Sequence, residues 1–215
     1  MMEIKKYLFD FDGTLVDSMD VYANAVYKFL DINKVNYSKD IIKVLTPLGI
    51  TGLAKYLIEQ LKIDCTFNSV KEFMEENMYK AYFCSVQAKS NVVSTLRALK
   101  ESGADLNVLT ASPHLTVDPC LKRLGIYDLF TNVWSCEDFK TTKSNPQIYE
   151  LAAQKLNANV QDVLFLDDNY DADKTAKQAG MKVCGVYDKY SEEYVEQMKE
   201  ICDYYIYDFK ELLEL

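Results

Sequence analysis

Phe9-Asp10-Phe11-Asp12-Gly13-Thr14-Leu15-Val16-Asp17-Ser18 sets two carboxylates, two residues apart, where an apolar run ends and a buried strand would surface. In extended backbone, residues i and i+2 project to the same side, so Asp10 and Asp12 can face one reacting group together. One carboxylate can attack while the other manages a proton, a division that suits phosphoryl chemistry. Gly13 permits the tight turn that frees the space above them, and Thr14 is positioned to hydrogen-bond that turn. A bare Asp-x-Asp reads as an ordinary strand-to-helix turn, since Asp and Gly abound in turns. Ten residues in this order say more, and the rest of the chain tests what they say.

Outward from this stretch, short apolar runs rich in branched or aromatic residues recur at 7–9, 106–109, 133–134, 163–166 and 183–186. Helical patterns separate them, so they read as buried parallel strands. One helix carries Val92, Val93, Leu96 and Leu99 before Gly103; another carries Ile148, Leu151, Ala152 and Leu156; a third runs through Ala176 to a stop at Gly180. The fold expected is α/β, a Rossmann-like parallel sheet with helices on both faces, with an edge strand at 204–207 and a closing helix over 209–215. Ligands in such sheets bind beyond the carboxyl ends of the strands, where Asp10, Thr110 and Asp168 fall.

Between the first strand and the helix near residue 90, only helical signals occur: Val21 to Phe29, Ile41 to Leu45, Leu53 to Leu61, and Val70 to Asn77. The stretch is too long for a crossover and reads as an inserted four-helix unit. The predicted organisation is a discontinuous core, 1–15 with 84–215, and an inserted helical domain over 16–83. Its aromatic and Met stripe reads as the insert's own core.

The ten-residue stretch resembles the first motif of the haloacid dehalogenase superfamily in its phosphatase form, and three further motifs of that family recur in order. Thr110 ends the apolar strand Leu106-Asn107-Val108-Leu109. Lys143 stands in Lys143-Ser144-Asn145-Pro146, where the family usually has Pro directly after the lysine, so Lys140 is a rival. Asp167 and Asp168 end Val163-Leu164-Phe165-Leu166 and are followed by Ala179-Gly180-Met181. Ala179-Gly180-Met181 resembles the family's helix end, and the resemblance, counted back from it, implies Asp168 at the main metal-ligand position and Asp167 in the neighbouring acidic place. A competing alignment pairs Asp167 with Asp171, although Asp171 and Asp173 also suit a helix first turn.

The resemblance implies that Asp10 attacks phosphorus to form an aspartyl-phosphate and that Asp12 donates and then accepts a proton. It implies that Thr110 and the Ala111 amide hold the transferring phosphoryl oxygens, with Lys143 balancing charge. A cation would sit on Asp10, the Asp12 carbonyl, Asp168 and Asp167, under a helical cap that closes over the substrate. Four clustered carboxylates would repel each other and an incoming anion without it, and all-oxygen ligation selects a hard ion, Mg2+. The expected substrate is a small phosphorylated metabolite, of the sugar-phosphate or phosphoglycolate type. Specificity is expected around Tyr22 and the turn 46–49.

Asp12 argues against the dehalogenase branch, which lacks this second acid. A mutase resembling β-phosphoglucomutase is the nearer alternative, although Tyr22 stands where that protein has a histidine. A catalytically silent phospho-ligand-binding relative is the alternative from another class. His114 reads as a loop histidine capping a helix, and with no second histidine a triad through Ser112 lacks support.

A net charge of -9 disfavours nucleic acid. No run approaches the ~20 apolar residues of a membrane span, and the start lacks the apolar region of a signal peptide, so a cytoplasmic enzyme, monomer or weak homodimer, is expected. The six cysteines form no Cys-x-x-Cys pair, which disfavours zinc and disulfide frameworks.

Overall fold

The computed structural model describes residues 4–45 and 48–215. Thr46 and Pro47, half of the turn expected to bear on specificity, lie outside the described residues. The chain divides into two compact units, Met1–Asp17 with Gln87–Leu215, and Ser18–Val86.

The first unit holds a six-stranded parallel sheet in the order β3-β2-β1-β4-β5-β6. The strands are β1 (Lys6–Phe9), β2 (Asp105–Thr110), β3 (Asn132–Ser135), β4 (Val163–Asp167), β5 (Lys182–Val186) and β6 (Tyr204–Ile206). The α/β class and the edge strand are as the pattern of apolar runs predicts. β1 lies at the centre with Phe9 paired to Val108 on one side and Leu166 on the other, so its three apolar residues are buried on both faces. Alternation divides them. Leu8 joins Phe165, Ile148, Tyr149 and Ala152 in the core under α8 (Gln147–Lys155) and α9 (Tyr170–Gln178). Phe9 points the other way and meets Phe130 and Phe209, each at 6.2 Å between ring centroids.

The remaining helices of this unit are α5 (Val92–Glu101), α6 (His114–Arg123), α7 (Cys136–Phe139) and α10 (Val195–Ile201). The closing segment differs from the helix expected. Over Phe209–Glu214 it forms 3-10 turns, started by the Asp208 side chain accepting from the Lys210 amide, and its register is set by burial of Phe209 and Leu212. All six cysteines are free.

The inserted unit comprises α1 (Asp20–Ile32), α2 (Ile41–Leu45), α3 (Gly49–Glu59) and α4 (Phe67–Cys84). Val26, Leu30, Leu45, Leu53, Leu57, Val70 and Met74 form its core, so the stripe is packed as its spacing predicts. Val44 departs from that pattern. It is 53% exposed, because α2 is too short to bury more than one flank. The Tyr22 hydroxyl donates to the Leu45 carbonyl at 3.4 Å within this unit. Among the described residues, no helix is long and apolar enough to cross a membrane.

Candidate active site

Sheet register assembles the site. Because Phe9 pairs with Leu166, the next residues outward are Asp10 and Asp167, and the Asp10 amide continues the ladder by donating to the Leu166 carbonyl at 2.8 Å. One carboxylate oxygen from each of Asp10, Asp167 and Asp168 lies within 4.8 Å of the others, and all three residues are buried. Thr110 ends β2 on the other side of β1, its hydroxyl accepting from the Ser112 amide at 3.0 Å. Ala111 follows it directly. Three neighbouring strands thus bring their carboxyl ends to one rim.

Lys143 enters from the loop before α8. Its ammonium donates to Asp10 Oδ1 at 2.5 Å and to Asp167 Oδ2 at 2.6 Å. The rival Lys140 instead closes α7 in the left-handed conformation, φ 53°. Asp167 has both oxygens engaged, since Oδ1 accepts from the Asn169 amide at 2.8 Å. Asp168 accepts from the Thr14 hydroxyl at 3.1 Å on Oδ1. Thr14 therefore reaches across to the fourth motif, where the sequence suggested a bond within its own turn. Gly13 makes this approach feasible. It has φ +75°, and a Cβ there would lie 2.6 Å from Asp168 Cγ.

Asp12 stands apart from the three-carboxylate cluster and accepts a very short hydrogen bond from the Ser112 hydroxyl. Sequence reasoning considered Ser112 only as a nucleophile and missed this role. The available signal was its position two residues past Thr110, at the turn leaving β2. His114 is the first residue of α6, not a capping loop residue, and Pro113 occupies the cap. Its ring bridges Asp118 at 3.0 Å and Asp138 at 2.9 Å, and those hydrogen bonds raise its pKa. Asp171 is exposed in the first turn of α9, as read, but Asp173 is fully buried because that side of α9 faces the sheet. Asp173 Oδ2 accepts a weak bond from the Cys202 thiol at 3.4 Å, and Oδ1 has no partner.

The electrostatics report an excess of negative charge. Burial raises the Asp10 pKa well above the ordinary carboxyl range; Lys143 opposes this, and Asp167, Asp168 and Asp12 add to it. Burial and then Asp167 push Asp168 up to about 7. Burial alone would lower Lys143, but Asp10 and Asp167 outweigh it and hold the ammonium firmly protonated. One lysine among these carboxylates leaves charge unbalanced in a buried place. The donors are all hard carboxylate oxygens, and the glycine turn gives Asp168 the space that a side chain would fill. This set fits a hard divalent cation.

A family model described as haloacid dehalogenase-like hydrolase matches residues 7–186. A phosphoglycolate phosphatase of Colwellia psychrerythraea is 28% identical over 224 residues, covering 99% of this chain and 97% of that protein. The pyrophosphatase PpaX of Oceanobacillus iheyensis is 26% identical over 216 residues, covering 100% and 97%. Among solved structures, YfnB of Bacillus subtilis, bound to magnesium, has the same fold, with a TM-score of 0.82 at 16% identity over 99% of this chain and 98% of that one.

Proposed function

The chain belongs to the haloacid dehalogenase-like hydrolases and is a phosphatase of that family, and we propose that it hydrolyses small phosphomonoesters with Mg2+ through an aspartyl-phosphate on Asp10. The observation that carries this reading is the buried meeting of Asp10, Asp167 and Asp168 with the Lys143 ammonium at the end of β1. Asp10 is the nucleophile: its carboxylate attacks phosphorus in line, the P–O bond to the leaving alkoxide breaks, and a mixed anhydride forms. Asp12 gives the alkoxide its proton and then takes one from the water that attacks the anhydride, releasing phosphate and restoring Asp10. The bond from Ser112 orients the Asp12 carboxyl for this exchange. Thr110 and the Ala111 amide hydrogen-bond the transferring oxygens, and the Lys143 ammonium favours the ionised form of Asp10 against the burial that raises its pKa.

Mg2+ held by Asp10, the Asp12 carbonyl, Asp168 and Asp167 would supply neutralisation of charge on the nonbridging oxygens. Asp168 is the more available of the acidic pair, since both oxygens of Asp167 are already engaged. The inserted helical unit would serve as a cap bearing on substrate choice, with a sugar phosphate or phosphoglycolate as the class expected.

Release of phosphate from p-nitrophenyl phosphate in the presence of Mg2+ tests the reaction. Wild type should turn over and Asp10→Asn should not. Wild-type activity indistinguishable from that of Asp10→Asn would retire the proposal. Incubation with β-glucose 1-phosphate separates hydrolysis from the mutase alternative, because a mutase would accumulate glucose 6-phosphate without loss of phosphate.

A further inference from the structure

We propose that Lys89 is a positioning residue for the reacting loop, holding the Gly13 carbonyl and, through that peptide, the contact between the loop and Asp168. The proposal rests on the reading of residues 10–14 as the phosphoryl-transfer loop. Lys89 lies on the second linker of the core unit, just after Ala88, which bridges Val16. Its backbone amide donates to the Leu15 carbonyl at 3.1 Å. Its ammonium donates to the Gly13 carbonyl at 2.5 Å, to the Tyr187 carbonyl at 2.7 Å and to Asp188 Oδ2 at 3.0 Å. An ammonium has three N–H donors, and here each has an acceptor, so this lysine is built in and is not a substrate-binding cation.

The three acceptors explain what it holds. In the sheet β4 lies between β1 and β5, so a lysine bound to Gly13 after β1 and to Tyr187 and Asp188 after β5 ties together the two loops that flank β4. β4 is the strand that delivers Asp167 and, one residue on, Asp168. The Gly13 carbonyl belongs to the same peptide plane as the Thr14 amide, and the Thr14 hydroxyl donates to Asp168 Oδ1 at 3.1 Å. Gly13 also packs so closely against Asp168 that no Cβ fits between them. Turning that peptide would therefore displace Asp168 by two routes.

Asp188 is suited to be the counter-charge. It is 4% exposed, and its Oδ1 is fixed by the Tyr190 amide at 2.9 Å. Charge-assisted bonds to two carbonyls hold more firmly than a neutral donor would.

Gly13-Thr14 is the only Gly-Thr pair in the chain. Labelling glycine carbonyls with 13C and threonine amides with 15N therefore yields one NMR cross-peak for this peptide, which can be followed while Mg2+ is titrated. In Lys89→Met that peak should move in the metal-free protein, and the Mg2+ affinity read from it should fall by about tenfold or more, as expected when a group supporting a ligand is lost. Asp188→Asn should change both in the same direction and by less. With p-nitrophenyl phosphate, Lys89→Met should lower kcat while KM stays near the wild-type value.

An unmoved peak with wild-type Mg2+ affinity in Lys89→Met would overturn the proposal, whatever happens to the melting temperature. If Lys89→Met does not fold, Lys89→Gln, which keeps a neutral donor, is read by the same peak under the same two criteria. Should the wild type prove unable to hydrolyse any phosphomonoester, the functional reading fails, while peak position and Mg2+ affinity still decide the role of Lys89.

Discussion

Replacing Lys143 by Met removes the ammonium and keeps most of the stem, so it isolates the charge that separates Asp10 from Asp167. At 2.5 and 2.6 Å, each contact is worth about 6 kcal/mol gross in an effective dielectric of ~20. Desolvation of the buried ions offsets most of that, and removing one partner of a buried pair costs about 3–5 kcal/mol net. The loss depends on pH. Without Lys143 the folded-state pKa of Asp10 rises further above its unfolded value of ~3.9, so the folded variant binds more protons than its unfolded chain. Its deficit relative to wild type should thus be small in mild acid and grow as pH rises.

Urea unfolding of the metal-free proteins, followed by the single tryptophan, Trp134, at about pH 5 and about pH 8, measures this directly. Trp134 packs edge-on against Phe139 at 5.5 Å in the core unit, which makes it a reporter of that unit. Saturating Mg2+ should restore part of the loss at the higher pH, since it neutralises the same carboxylates. Phosphatase turnover should fall by about 10²-fold or more even in the folded, metal-loaded variant. An equal stability loss at both pH values, untouched by Mg2+, would refute the electrostatic account and leave Lys143 a packing residue.

Gly13→Ala should cost about 1–2 kcal/mol of stability from its left-handed backbone and weaken Mg2+ binding by at least about tenfold, because the new Cβ would displace Asp168; unfolding and titration calorimetry read the two separately. Asp168, pushed up to about 7, must shed its proton before it can hold a cation. Apparent Mg2+ affinity should therefore climb as pH rises through about 7, with proton release visible as a dependence of binding heat on buffer. Burial raises the Asp173 pKa well above the usual carboxyl value, so its contribution to stability is present below ~4 and is lost progressively as pH rises. Asp173→Asn should remove that loss and gain on wild type between about pH 5 and pH 8 in urea unfolding.

Much of this molecule was legible in the chain because its information is local. Each strand announces itself by a short apolar run, the insert by helical spacing, and the loop after β1 by two carboxylates before a glycine. The aspartates that cluster are the ones at strand ends, and the position after a strand can be counted in one dimension. Asn91 illustrates the limit of such counting. It adopts φ 61°, and its side-chain amide donates to both oxygens of Asp208, 117 residues further on.

By itself, then, the sequence determined which segments become strands and helices, and which side chains arrive at the rim of the sheet, since both follow from periodicities of two and 3.6 residues. Tertiary structure alone decided the partners. That Asp10 sits beside Asp167 depends on β1 pairing with β4 in one register. Lys89 can hold Gly13 and Asp188 together because the strand order sets β1 and β5, whose loops carry them, on either side of β4. Asp173 is buried because α9 turns it toward the sheet. Strand order, register and helix rotation are settled by the packing of the whole chain, and no local window of residues contains them.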